Sequence, residues 1–347
     1  MAPNSRGVTR RRFIERSAAA AALAGAAPFV HAQDKSGKRR LVLGPPAHRY
    51  EAVHDWLVPP PNIKWGDTHG VCQDADQRIY VAHTVHPTSA GSDAVLVFDQ
   101  HGKFIKSWGS EFRNGAHGLD LRRERSDELL YHCDINRRLV VKTTLSGKVL
   151  WEKSFPVEAG VYKDAGQFRP TNVAFAPNGD FYVGDGYGSS YIHQYNLAGD
   201  YIRTIGKPGK GAGELNCPHG LWLDDRGGKP SLVVADRTNR RLQYFTLDGE
   251  HQRFVTEGIR LPCHFKTRGD LLLLPDLESV VTLLDGKNRV VASLGDGRPS
   301  NLRSAPREKF IPGKFIHPHD AIFLHSGDIL VAEWVPIGRI TLLRKLA

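Results

Sequence analysis

The chain has 347 residues, with 47 Lys and Arg against 37 Asp and Glu, 35 Gly, 21 Pro and four Cys. Its ordinary apolar content excludes a disordered or fibrous chain, and its scattered positive charge, without a basic run interleaved by aromatics, excludes a dedicated nucleic-acid surface. Abundant turn formers and short apolar runs point to an all-β fold.

Residues 1–32 stand apart. Thr9-Arg10-Arg11-Arg12-Phe13-Ile14 precedes the apolar run Ala18–Val30 and the small-residue end Val30-His31-Ala32. This layout of charged segment, short apolar segment and cleavage site resembles a twin-arginine export signal. The run is too short for stable membrane insertion. The leader holds five Arg and one Glu, so it carries +4 of the net +10 and leaves +6 on the remainder. We expect cleavage near Ala32 and a soluble, monomeric periplasmic or secreted chain. Cys72, Cys133, Cys217 and Cys263 form no CxxC motif, and their spacing assigns no disulfide.

From residue 68 onward the chain repeats itself. Units open at Thr68-His69-Gly70, Ala116-His117-Gly118, Pro170-Thr171-Asn172, Pro218-His219-Gly220, Cys263-His264-Phe265 and Pro318-His319-Asp320, at spacings of 45 to 55 residues. Each unit holds three or four short apolar strands between Gly, Asn and Asp turns. Units of that length and content predict the blades of a six-bladed β-propeller over residues 33–347. The last unit stops after three strands, and Arg40–Leu43 is the candidate to complete it and remove the exposed edge.

In a propeller the first strand of each blade lines the central channel. Its start shares one face of the ring with the turn between the second and third strands. The strand-one starts read His69, His117, Asn172, His219, His264 and His319. Every second blade gives His117, His219 and His319, related by a pseudo-threefold axis. Three neutral imidazoles converging on an axis make a zinc site with an open fourth position. His69, Asn172 and His264 are additional candidate channel ligands. The second strands end in His83, Asp134, Asp185, Asp236, Asp276 and Glu333, acidic residues in five of six blades, which suits carboxylates that cap the next turn. Just beyond two of these ends lie Tyr187, a candidate proton acceptor if a cation lowers its pKa, and Arg237, a candidate carboxylate ligand. The linkers Pro156–Gln167 and Asp296–Lys314 reach the same face, as substrate lids or as protein-contact loops.

These segments resemble the NHL family of propellers and, within it, the peptidyl-α-hydroxyglycine α-amidating lyases. The resemblance is carried by His117-Gly118-Leu119, Pro170-Thr171-Asn172-Val173-Ala174, Val183-Gly184-Asp185-Gly186-Tyr187, Pro218-His219-Gly220-Leu221, Ala235-Asp236-Arg237-Thr238-Asn239-Arg240-Arg241-Leu242-Gln243 and Pro318-His319-Asp320. It implies a zinc on His117, His219 and His319, catalytic roles for Tyr187 and Arg237, and a structural calcium held by Asp320 and a carbonyl near Leu119. It also implies cleavage of an α-hydroxyglycine N–C bond in a small-molecule or peptide substrate, giving an amide and glyoxylate. The sequence departs from that family in several places. Phe168 with Gly188, and Val233 with Tyr244, stand where the family has disulfides. Asn172 replaces an Asp. A first-blade Arg has no counterpart nearer than Lys64. Two other functions fit a six-bladed propeller: a non-catalytic NHL module binding a protein, peptide or glycan on its channel face, and a lactonase, whose Glu, Asn and Asp metal ligands suit the His ring poorly.

Overall fold

The computed structural model describes residues 40–299 and 301–346; the expected leader over residues 1–32 lies outside them. Five blades are four-stranded antiparallel sheets in chain order. Their inner strands are Thr68–Gln73, Ala116–Glu124, Asn172–Phe175, Pro218–Asp224 and Lys266–Arg268, and blade six opens with Pro318–Phe323. This is a six-bladed propeller. No helix among the described residues is long and apolar enough to cross a membrane.

Ring closure differs from expectation in one respect. The strand that pairs with Arg339–Lys345 is Tyr50–Val53, in the register Tyr50↔Lys345 to Val53↔Leu342. The run chosen from sequence supplies only Val42–Leu43, one place further out, paired with Glu51 and Tyr50. The reason lies in burial. Leu43 joins Leu294 and Phe315 in the apolar layer between blades five and six, so its hydrophobicity serves as a cover for that seam. Tyr50–Val53 alternates buried and half-buried side chains, as a strand in the sheet requires.

Six apolar clusters fill the six seams between blades. The seam that closes the ring packs Val71, Val81 and Leu96 of blade one against Ile322, Leu330 and Leu342 of blade six. Buried Cys72 and Cys133 belong to such clusters and behave there as small apolar residues. Val233 and Tyr244, placed by the resemblance where a disulfide would lie, face each other on neighbouring strands as an apolar pair.

The acidic ends of the second strands anchor loops. Asp185 accepts the Arg169 amide at 2.7 Å, Asp236 that of Asn216 at 2.7 Å, Asp276 that of Leu261 at 2.8 Å and Glu333 that of Ile316 at 2.6 Å. His83 does the same work in blade one, with Nδ1 accepting from the Gly66 amide. Each side chain therefore ties the segment entering its blade to the top of the second strand. That fixes the height at which the next inner strand begins, and so the height of the channel-facing residue.

Candidate metal centre

A local irregularity aims the histidines. In blades one, two and four the register slips by one residue across the His-Gly pair, as between Pro218↔Asp236 and Leu221↔Val234. The bulge turns the His ring into the channel. The following Gly lets the next blade come close: a Cβ on Gly118 would lie 2.4 Å from the Thr171 carbonyl oxygen, and one on Gly220 would lie 2.1 Å from that of Cys263.

That close approach supplies hydrogen bonds. His117 Nδ1–H donates to the Thr171 carbonyl at 2.9 Å, His219 Nδ1–H to Cys263 at 2.9 Å and His319 Nδ1–H to His69 at 3.2 Å. The same link recurs across every second seam and fixes one tautomer, leaving the three Nε2 lone pairs on the axial side. A backbone carbonyl on the far ring nitrogen is the usual support of a ligating His. The three ring centroids are 4.7 to 4.9 Å apart. Three imidazoles on one tetrahedral zinc, with Zn–N of about 2.0–2.1 Å, place their centroids roughly 5 Å apart, so the donor set fits. All three rings are buried. Burial lowers their pKa, that of His117 to about 3, which keeps them neutral.

The cluster is larger than the expected trio. His69 lies with its ring 4.7 Å from His117 and 4.6 Å from His319, and its Nδ1 is 3.4 Å from His319 Nε2. Among the described residues two donor groups, each with atoms within 4.8 Å of one another, are His69–His117–His319 and His219–Cys263–His319. The trio is thus spread over two groups that share His319. An axial cavity of about 10 Å³, room for a single small species, is lined by these residues.

Tyr187 and Arg237 stand where the topology puts them. The Tyr187 hydroxyl lies 3.0 Å from His219 Nε2 and 3.3 Å from His117 Nε2, bridging two of the trio. Arg237 Nη1 donates to the same hydroxyl at 3.4 Å, and its guanidinium lies over the Tyr187 ring. Burial pushes the Tyr187 phenol up to about 12, and Arg237 pulls the other way. Between these two influences desolvation outweighs the guanidinium. Burial opposes the charge on Arg237, but the Tyr187 phenol and the Cys263 and Cys217 thiols hold its proton firmly.

His264 and Asn172 do not join this group. They form a second layer on the axis. His264 Nδ1–H donates to Asp320 at 2.5 Å, and the Asn172 amide donates to His264 Nε2 at 3.0 Å and to Asp120 at 2.6 Å. Asp320 also accepts the Val71 and Ala321 amides, and the Asn172 oxygen accepts the Leu221 amide. Lys266 pairs with Asp120 at 2.6 Å. These bonds join all six inner strands. Leu119 is buried beside them, paired across the sheet with His132. The Asp320 carboxylate is thus committed to protein donors, with the Lys266 ammonium in the same layer, an arrangement that does not fit the expected calcium. Asp120 and Lys266 escaped the sequence reading because each lies within its inner strand, past the repeat position that the His ring marks.

Curated proteins are similar to parts of this chain. Peptidyl-alpha-hydroxyglycine alpha-amidating lyase 2 of Drosophila melanogaster is 38% identical over 74 residues, 21% of this chain and 18% of that protein. Peptidyl-glycine alpha-amidating monooxygenase B of Xenopus laevis is 29% identical over 244 residues, 61% of the chain and 26% of that protein. NHL repeat-containing protein 3 of Mus musculus is 27% identical over 161 residues, 44% of the chain and 45% of that protein. The chain is an NHL-type six-bladed propeller. It is related to the amidating lyases and spans less than half the length of each of these three relatives. No family model matches it. Among solved structures, a gluconolactonase from Xanthomonas campestris superimposes with a TM-score of 0.59 at 13% identity, over 92% of the chain and 95% of that structure. A streptogramin B lyase gives 0.56 at 11%, over 86% and 98%. Both likenesses establish the fold alone.

A further residue of this propeller was missed from sequence. Arg303, in the linker 296–314, grips Asp67 of blade one through Nη2 at 2.7 and 2.8 Å and lies 3.7 Å over the Trp334 ring. Its charge is one of the influences that lower the His69 pKa, after burial and the neighbouring imidazoles. Among the described residues its buried Nε has no partner. No local motif announces it, because it arrives from a loop far away in sequence.

Proposed function

We propose that this propeller is an exported, metal-dependent carbon–nitrogen lyase of the amidating type, releasing an amide and glyoxylate from an α-hydroxyglycine-like substrate. The observation that carries the reading is the alternating-blade trio. His117, His219 and His319 are each tied through Nδ1 to the neighbouring blade, and their Nε2 atoms gather beside Tyr187 and Arg237. These imidazoles would hold the ion, and zinc suits them best. When bound there, such an ion supplies Lewis acidity that lowers the pKa of a hydroxyl it ligates. Tyr187 is in place to exchange a proton with that hydroxyl, since its oxygen already lies against two of the imidazoles. Arg237 favours the phenolate at Tyr187 and offers a cation to the substrate carboxylate. The relationship to amidating lyases supports the reaction class, and the leader over residues 1–32 supports export.

A non-catalytic binding propeller is the second reading, favoured by the match to NHL repeat-containing protein 3. The deciding experiment incubates the metal-loaded chain with an N-acyl α-hydroxyglycine and measures glyoxylate. Release that is lost in Tyr187→Phe supports the lyase. No release above the uncatalysed rate from a folded, metal-loaded chain would overturn it in favour of the binding module.

A further inference from the structure

Cys263 sits at the opening of blade five, completely buried, one residue before His264. Its carbonyl accepts the Nδ1–H of His219, so its backbone is fixed against the metal-site imidazole. Its sulfur belongs to the donor group with His219 and His319, every donor atom within 4.8 Å of the others. The Cys263 residue also lines the axial cavity into which His69, His117, His219 and His319 converge. Among the described residues Sγ has only weak company: the Leu261 carbonyl at 3.9 Å and Arg237 Nη1 at 4.0 Å. Thus the thiol is held beside two ligating imidazoles and has no close partner of its own. A second thiol, Cys217, precedes the Pro218-His219 turn and is also buried, but it belongs to neither tight donor group.

Resting on the reading of the imidazole cluster as a metal centre, we propose that Cys263 is a metal ligand, so that the ion is held by a mixed set of imidazoles and one thiolate.

The geometry admits a sulfur donor beside the imidazoles. His219, Cys263 and His319 form one group whose donor atoms lie within 4.8 Å of one another, and His69, His117 and His319 form another that shares His319. A thiolate changes what the site selects. Soft sulfur favours zinc, cobalt and copper(I) and disfavours magnesium, calcium and manganese. It also adds a negative charge to an otherwise neutral imidazole cluster, which Arg237 is placed to balance. Binding releases the thiol proton to solvent, because only the thiolate ligates.

Cobalt(II) reads the composition directly. The full chain, stripped of metal, is titrated with cobalt and followed by absorption. Ligand-field bands in the visible report that cobalt is bound, and a sulfur-to-cobalt charge-transfer band in the near ultraviolet reports a thiolate ligand. We expect both in the native chain. Cys263→Ala should abolish the near-ultraviolet band while keeping the visible bands, and Cys217→Ala should keep both. Circular dichroism verifies that each variant is folded. Should Cys263→Ala fail to fold, Cys263→Ser, which retains volume, carries the test. Visible bands without charge transfer in the native chain would overturn the proposal and leave the imidazole centre standing. So would a charge-transfer band that vanishes in Cys217→Ala and survives in Cys263→Ala. No cobalt bound by the folded native chain would overturn the metal reading itself, and this proposal with it.

Discussion

Two layers of the same channel, built from the same six inner strands, do opposite things with the same residue types. In the lower layer His264, Asn172, Asp120, Asp320 and Lys266 saturate one another's hydrogen-bonding groups, and their bonds reach every blade. In the upper layer His69, His117, His219 and His319 spend one nitrogen on a carbonyl or a neighbouring ring and gather the rest at the axis. A histidine at the repeat position therefore has no fixed meaning. Its role follows from the charge its ring meets: carboxylates below, other neutral imidazoles above. The lower layer links the six blades, and the upper one is the proposed metal centre.

The comparison breaks most visibly in stability. Asp320→Ala leaves the Val71 amide and His264 without their partner. It should cost about 1–3 kcal/mol for each of these buried donors left unsatisfied. Chemical denaturation measures it, and a loss near zero would remove the lower layer from the account. Tyr187→Phe belongs to the upper layer and should leave unfolding nearly unchanged while lowering glyoxylate release by about 10²–10⁴, the usual worth of a general acid or base. Full activity would exclude Tyr187 from the proton transfer. His219→Ala should weaken metal binding by more than roughly 100-fold, beyond the 10- to 100-fold typical of losing a supporting partner. Competition with a chelator reads that affinity, and an unchanged value would contradict the site.

A pH series sharpens the same contrast. Away from the axis, burial lowers the pKa of His83, His132 and His193 to about 3. The unfolded chain, with ordinary imidazoles near about 6.5, then binds more protons than the folded one below that pH. Stability should be flat above about pH 6.5 and fall on acidification by roughly 1.4 kcal/mol per pH unit for each such His. Urea unfolding between about pH 7 and about pH 5 tests the sign, and stability that rises on acidification would contradict it. The smallest effect is expected at the rim. Arg303→Gln should lower stability by up to about 1 kcal/mol, as loss of a partly exposed ion pair with Asp67 implies. A larger loss on chemical denaturation would assign Arg303 a different role.

Much of this was legible in the sequence because the repeat imposes it. A six-unit period with His or Asn at one position places those residues on one axis whatever the details of each blade. Alternation then singles out His117, His219 and His319, and the structure gives those three the same backbone anchor. What the repeat does not encode is depth along the channel. A shift of one residue on an inner strand moves a side chain between layers. His69 therefore joined the upper cluster while His264 and Asn172 joined the lower one. Lys266 and Asp120 lie off the repeat position, and Arg303 comes from a linker that folds across a seam. The closing strand was misplaced for a similar reason: Leu41–Leu43 is the more apolar run, yet its apolar side chains cover a seam, and the alternating Tyr50–Val53 enters the sheet.

The most direct test of the central claim is the metal content of the folded chain isolated from cells, compared with His117→Ala and Asp320→Ala. The account predicts about one equivalent of zinc in the native chain, none in His117→Ala, and metal retained in whatever fraction of Asp320→Ala remains folded. Metal lost from Asp320→Ala but kept in His117→Ala, or none in a well-folded native chain, would contradict the assignment of the upper layer as the working centre.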